Sequence, residues 1–277
     1  MNYRHEFHAG SFTDVFKHIV LVALLESFKK KENPFFYFET HAGNGKYDLA
    51  SSEAQKSKEF LNGIAKLFSE KNAPPLIESY LAIIRKLNRL GTLRFYPGSP
   101  YFAKQLLREH DRMLLCELQP QVFADLKKLL ARTENISVKR QDGYAGLKEF
   151  LPPKERRGFV LIDPPYEKPD ELNSILSHLE EALERWETGT FVVWYPIKNR
   201  HPVDAFLRKV QAKIKRETLV TEFSIYPSDI QTHLSGNGML IVNPPWQLDQ
   251  KLEETLPWLL SRLNQAKGRF EIKFLVK

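Results

Sequence analysis

Apolar positions recur at three-to-four spacing over residues 12–31, where Phe12, Val15, Phe16, Ile19, Val20, Ala23, Leu24 and Phe28 fall on one side and Lys29, Lys30 and Lys31 close the segment. This period predicts an amphipathic helix with cations at the end its dipole favours. The pattern then changes. Pro34-Phe35-Phe36-Tyr37-Phe38 is an unbroken apolar run that reads as a buried strand, and it leads directly into Glu39-Thr40-His41-Ala42-Gly43-Asn44-Gly45. Glycines in such a turn permit positive φ and a close backbone approach to a ligand, although the same letters also make a tight turn with no ligand.

In the simplest dinucleotide-binding unit, a second strand ending in an acid follows about 20 residues later. Here the next such strand is Arg112-Met113-Leu114-Leu115-Cys116-Glu117, so residues 46–95 read as an insertion. Helical patterns near Lys56 to Lys71 and Leu76 to Arg89 fill it, the second fringed by Arg85, Lys86, Arg89 and Arg94. That fringe suits a phosphate backbone or a plain solvated face. Tyr96-Pro97-Gly98-Ser99-Pro100 reads as the loop returning the chain to the main domain, residues 1–45 and 96–277.

Beyond Glu117 the pattern predicts a helix (Gln121 to Ala131), a strand (Ile136 to Lys139) ending at Gln141-Asp142-Gly143, and the apolar run Gly158 to Ile162. A helix (Pro169 to Arg185), a strand (Thr190 to Tyr195), a helix (Pro202 to Ile214) and strands at Glu217 to Tyr226 and Met239 to Asn243 follow. Alternating helices and strands argue for an α/β fold with a largely parallel, Rossmann-like sheet. In such sheets ligands gather outside the carboxyl ends of the strands. An acid after the second strand can hold a ribose diol, and Asp142 can accept from an adenine amine.

The most informative strand end is Asp163-Pro164-Pro165-Tyr166. An exocyclic amine such as N6 of adenine is a poor nucleophile because its lone pair is delocalised into the ring. A carboxylate (Asp163) and a rigidly aimed carbonyl (Pro164) can accept hydrogen bonds from its two N–H groups, and Tyr166 can stack on the base. The bland reading is an ordinary strand-ending turn. Asn243-Pro244-Pro245-Trp246 offers the same chemistry, but Asp163 follows the strand that topology places beside the glycine-rich turn. The later copy is expected to close a sheet edge.

The chain has 277 residues, 42% of them hydrophobic, enough for one large domain or a domain with an insertion. A formal net charge of +7 suits a polyanionic partner without requiring one. No basic-then-apolar leader and no membrane-length apolar run is present, so a cytoplasmic protein with no membrane partner is expected. The single cysteine, Cys116, reads as a core residue. His5, His8, His18 and His41 have no recognised metal spacing, so no metal is expected.

Taken together, several motifs carry a family resemblance. They are Tyr3-Arg4-His5-Glu6-Phe7-His8-Ala9-Gly10 with Asp14-Val15 and Lys17-His18, Thr40-His41-Ala42-Gly43-Asn44-Gly45, Tyr96-Pro97-Gly98-Ser99-Pro100, Glu117-Leu118-Gln119-Pro120, Asp142-Gly143, Asp163-Pro164-Pro165-Tyr166, Trp194-Tyr195-Pro196 and Asn243-Pro244-Pro245-Trp246. In this order, spanning nearly the whole chain, they resemble the ribosomal large subunit methyltransferase J family, which methylates N6 of a specific adenine in 23S ribosomal RNA. The resemblance implies a class I SAM-dependent methyltransferase with a small helical insertion subdomain, S-adenosylmethionine as donor, and 23S rRNA as partner, with no obligate protein partner. It implies Asp163 as acceptor for the target amine, and His18, His41, Ser99, Glu117, Asp142, Gly143 and Asp163 around the donor. Lys17 would lie beside the donor, where a role toward its carboxylate is the sensible one for a cation. Tyr3 would lie near the RNA, and the N-terminal segment, residues 1–33, would cover the active site. Glu39 and Asn44 depart from the family pattern, which has Asp and a small residue there. Two other readings remain open: an N6-adenine DNA methyltransferase, for which no separate target-recognition domain is visible, and a non-catalytic RNA-binding module.

Overall fold

The apolar runs are buried on both sides, as strands inside a parallel sheet must be. The computed structural model describes residues 4–131, 133–227, 234–265 and 267–277. Its strands are β1 (Phe36–Glu39), β2 (Lys46–Asp48), β3 (Phe95–Pro97), β4 (Arg112–Cys116), β5 (Ile136–Lys139), β6 (Gly158–Ile162), β7 (Thr190–Ile197), β8 (Thr218–Ser224), β9 (Gly236–Val242) and β10 (Arg269–Val276). Its helices are α1 (Phe12–Lys29), α2 (Ser52–Ser57), α3 (Ile64–Leu67), α4 (Pro75–Leu87), α5 (Ser99–Leu106), α6 (Pro120–Leu129), α7 (Gly143–Phe150), α8 (Glu171–Arg185), α9 (Arg200–Lys213) and α10 (Leu248–Leu263).

An eight-stranded sheet runs in the order β10-β8-β9-β7-β6-β1-β4-β5. β7, β6, β1, β4 and β5 are parallel, whereas β9, β8 and β10 join as antiparallel neighbours. Period-two alternation divides the apolar runs between two cores. Phe35, Tyr37, Met113, Leu115, Phe159 and Leu161 face α1, α4 and α10, whereas Phe36, Phe38, Leu114, Cys116, Val160 and Ile162 face α7, α8 and α9. Each such side chain contributes about 1.5–3 kcal/mol on burial. The chain leaves β1 toward β4 and β5, then returns to the other side of β1 at β6. The switch point between β1 and β6 is where open α/β sheets hold ligands, and it carries both the glycine-rich turn and Asp163. This is the expected Rossmann-like α/β architecture. Cys116 is buried in β4, and burial pushes its thiol up to about 12, which fits a core residue.

Several expectations change. The helix at 12–31 is no surface helix: α1 packs against α4, α5, α10 and β9, so Asp14, Lys17 and His18 are buried along with its apolar stripe. The helix expected near 56–71 breaks into α2, a 3-10 turn (Glu59–Asn62) and α3. At the break Gly63 takes a non-helical conformation against Gly10, whose carbonyl oxygen would lie 2.1 Å from a Cβ there. The backbone of Ile64 donates to that same oxygen at 2.9 Å. The loop expected at 96–100 begins with β3, which pairs with β2 as an antiparallel ribbon, and continues into α5. α5, α7, α10 and β10 were not among the elements the pattern suggested. β9 does not close an edge, since β8 and β7 flank it and β10 and β5 are the edges. Because β9 runs antiparallel to β7, Asn243 falls at the start of β7, away from the end of the sheet that bears Asp163. There its amide donates to the carbonyls of Glu187 (2.9 Å) and Gly189 (2.8 Å).

The basic fringe of α4 is largely engaged within the chain. Arg85 binds Glu78 at 2.9 Å and Arg94 binds Asp48 at 3.2 Å, while Lys86 donates to Gln105 at 2.8 Å. Among the described residues, no helix is long and apolar enough to cross a membrane.

Candidate active site

Two clefts meet at the carboxyl end of β6. The first, about 570 Å3, is lined by Lys17, His18, His41, Ser99, Glu117, Asp142, Gly143, Asp163 and Pro164. Every residue that the family resemblance would place around the donor lines this cleft. The second, about 560 Å3, shares Lys17, Asp163 and Pro164 and adds Tyr166, Trp194 and Tyr226. Tyr166 lines this second cleft alone. Tyr3 lies outside the described residues.

The wall of the first cleft is set by local backbone demands. Asp142 caps α7, its Oδ1 accepting from the Ala145 N–H at 2.9 Å. Gly143 follows because a Cβ there would sit 2.1 Å from the carbonyl oxygen of Thr40; only glycine lets α7 begin against the glycine-rich turn. Glu117 follows β4, and its carboxylate accepts from the N–H groups of Gly43 (3.0 Å) and Gln119 (2.8 Å). Asn44 donates to Glu6 at 2.9 Å, tying the turn to the N-terminal segment.

His18 and His41, on the wall of the first cleft, are neutral at pH 7. Burial pulls His18 well below its ordinary value and His41 down to about 4. His18 Nδ1 lies 2.8 Å from the Tyr96 hydroxyl, and its Nε2 is buried with no partner among the described residues. His41 Nδ1 lies 2.8 Å from the Thr40 hydroxyl. The four N-terminal and cleft histidines thus have separate partners, since His5 faces Asp14 and His8 faces Glu59.

Glu39 is not part of the cleft wall. It is fully buried behind Ser99, which donates to it, as does the Tyr37 hydroxyl at 2.9 Å. Burial outweighs these hydrogen bonds and raises its carboxyl to about 8. A carboxyl raised on folding from 4.5 to about 8 stabilises the fold below pH 4.5, and that contribution is lost as pH rises to 8. Glu39→Gln removes the ionisation but keeps the shape. The variant is expected to gain a few kcal/mol relative to wild type between pH 5 and pH 8.5, read as urea midpoints at the two pH values; a pH-independent difference would count against a protonated Glu39.

The junction of the clefts is ionic. Lys17 Nζ lies 2.8 Å from Asp163 Oδ2 and 3.1 Å from Asp14 Oδ1. Asp14 Oδ2 lies 2.9 Å from His5 Nε2 and accepts from the Gly10 N–H at 3.1 Å. Burial would push the Asp14 carboxyl up, but His5 and Lys17 together hold it well below its usual range. Lys17 also sits 5.7 Å from the centre of the Trp194 ring. Its partners include two carboxylates of the protein, so the cation that lines both clefts is balanced in charge. Tyr166 has a positive φ, its hydroxyl donates to the Trp194 carbonyl, and its ring meets Trp194 edge-on at 5.6 Å. Sequence reasoning gave no role to Asp14, His5 or Trp194. The Asp14–Lys17 spacing of three residues on one helix face was the available signal for the first.

The family described as ribosomal RNA large subunit methyltransferase D, RlmJ, matches residues 32–276. A protein of Escherichia coli named ribosomal RNA large subunit methyltransferase J is 39% identical over 266 residues, covering 96% of this chain and 95% of its own length. Its namesake in Haemophilus influenzae is 42% identical over 277 residues, covering 99% of each chain. The solved structure of protein LPL1258 from Legionella pneumophila is 36% identical and superposes with a TM-score of 0.90 over 96% of this chain and 98% of that one.

Proposed function

Because the chain belongs to the ribosomal RNA large subunit methyltransferase family RlmJ, we propose that it methylates the N6 amine of a specific adenine in 23S rRNA, with S-adenosylmethionine as donor. The observation that carries this reading is the position of Asp163 on the wall shared by a polar cleft and an aromatic one. A donor and an acceptor can approach it from different sides.

The first cleft fits the donor. Glu117 is placed for a ribose diol and Asp142 for an adenine amine, the unpartnered His18 Nε2 offers a polar contact, and Gly143 leaves the backbone open. His41 and Ser99 complete the set, and neutral histidines there add no repulsion toward a cationic donor. When bound, S-adenosylmethionine supplies an electrophilic methyl group. The protein supplies position and electrostatics.

In the second cleft Tyr166 and Trp194 provide faces for a base, and Asp163 with the Pro164 carbonyl accepts from its amine. One carboxylate oxygen of Asp163 is committed to Lys17, which leaves the other for the amine. Accepting that hydrogen bond pushes electron density onto N6, and the proton can pass to Asp163 after attack. The base must leave its stack to reach this depth, at a cost of a few kcal/mol when paired. Free rRNA is therefore the preferred substrate over assembled subunits.

The test is transfer of a labelled methyl group to protein-free 23S rRNA, to assembled subunits and to duplex DNA. Label at adenine N6, fastest on free RNA, is the expected result. Faster labelling of DNA would turn the reading toward a DNA methyltransferase, and absence of donor binding toward a non-catalytic RNA-binding module.

A further inference from the structure

The aromatic cleft is built like a nucleotide site with one part unexplained. Its inner end holds Asp163 and Lys17, its walls Tyr166 and Trp194, and its lining also includes Lys198, which follows the last residue of β7 and is exposed. An exposed residue that lines a cleft sits at its mouth. The lining also includes Glu59 and Asn62, from residues 46–95, with His8 beside Glu59.

The charges on this rim are unequal. Glu59 is engaged by His8 at 3.0 Å, and Lys17, deeper in, is matched by two carboxylates. Lys198, by contrast, has no carboxylate within ion-pair distance among the described residues. It lies close enough to His8 to oppose that ring's protonation, against the dominant hydrogen bond that the ring donates to Glu59. An acid at the floor, aromatic walls and, at the mouth, a cation unmatched among the described residues follow the order of groups along a nucleotide, from amine through base to phosphate.

We propose that Lys198 forms a subsite for an RNA backbone phosphate flanking the target nucleotide, at the mouth of the acceptor cleft. The proposal rests on the reading that this cleft receives an RNA adenine. A lysine that contacts phosphate contributes affinity without base information and steepens the salt dependence of binding. Its ammonium is a point charge, so arginine at this position keeps most of the effect.

The experiment pairs a protein change with a change in the RNA. Binding of a fluorescent RNA stem-loop carrying the target adenine is followed by anisotropy across a salt series, for wild type, Lys198→Ala and Lys198→Arg. The same RNA is also used with an uncharged methylphosphonate replacing a phosphate flanking that adenine. Lys198→Ala is expected to weaken binding about five-fold and to lower the salt slope by about 0.7, the value for one contact to a single strand. Lys198→Arg should restore both. The methylphosphonate should weaken wild type by a similar factor and Lys198→Ala hardly at all. Equal salt slopes for wild type and Lys198→Ala, or equal losses from the methylphosphonate in both, would overturn the subsite. Methyl transfer is measured in parallel, with KM raised and kcat changed less than two-fold in Lys198→Ala. A drop in kcat at constant KM would also overturn the proposal, since Lys198 would then act on the chemistry. Binding does not depend on turnover, so a wild type that binds this RNA with the expected slope but transfers no methyl group defeats the functional reading and leaves the subsite standing.

Discussion

Asp163→Ala is expected to lower kcat for methyl transfer by about 10²–10⁴-fold, the span that a positioned proton acceptor contributes, while the protein stays folded. Its side chain joins the two clefts, and the amine of the target loses the acceptor that raises its nucleophilicity. Folding should survive because Lys17 retains Asp14 at 3.1 Å, so no buried charge is left without a partner. Asp163→Asn separates the two functions of the carboxylate further. An amide presents one oxygen only, and Lys17, a donor with no acceptor capacity, claims it; the amide nitrogen then faces the target amine as a donor against a donor. The asparagine variant is thus expected to be nearly as slow as the alanine one and closer to wild type in thermal stability. Single-turnover transfer with donor binding measured by equilibrium dialysis separates chemistry from binding. A folded Asp163→Ala protein with kcat within ten-fold of wild type would remove Asp163 from the reaction.

How far the sequence foretold this site depends on which residues carry local signals. β1, β4 and β6 were legible because buried parallel strands are continuous apolar runs, and each ends at a polar or glycine-bearing residue that stops the run. The strand ends therefore marked the cleft, and Glu117, Asp142 and Asp163 could be placed on it. Lys17 was legible only as a motif member. Helical period identifies an apolar stripe but not what covers the other side, and here α4, α5 and α10 cover α1 and bury Asp14, Lys17 and His18. The role of Asn243-Pro244-Pro245-Trp246 turned on strand direction, which is a property of pairing: the same four letters lie at the far end of the sheet because β9 runs against β7. α10 carries Leu248, Leu252, Leu256, Leu259 and Leu263 at helical spacing, but it contains Pro257, a residue that ordinarily interrupts a helix. The division of residues 52–67 into short pieces required knowing that Gly10 packs onto Gly63, a contact across more than fifty residues of chain.

The largest loss of stability is expected from Lys17→Met. Replacing a whole buried ionic group by apolar side chains can be neutral, whereas removing one member leaves its partners as uncompensated charges, at a cost of about 3–5 kcal/mol. Lys17 is 5% exposed and its Nζ is shared by the two carboxylates, so methionine fills the volume while Asp14 and Asp163 both lose the cation they share. The loss should depend on pH in a direction the wild type fixes. In the intact protein the Asp14 carboxyl is held well below 3.8 despite burial; a depressed carboxyl stabilises the fold above its unfolded value and loses that contribution as pH falls through the folded one. Without Lys17 the upward push of burial is opposed mainly by His5, with the Gly10 N–H beside it. Protonation of Asp14 then relieves the buried charge, so the difference between wild type and Lys17→Met should be largest at pH 7–8 and shrink on acidification toward pH 4. Adding Asp14→Asn to Lys17→Met should recover part of the stability but little methyl transfer, because Asp163 still lacks the cation that holds one of its oxygens. Urea unfolding of the three proteins at pH 7.5 and pH 4.5 reads both effects. A destabilisation that is the same at the two pH values, and untouched by Asp14→Asn, would mean that Lys17 stabilises the fold through its alkyl chain and not through its charge.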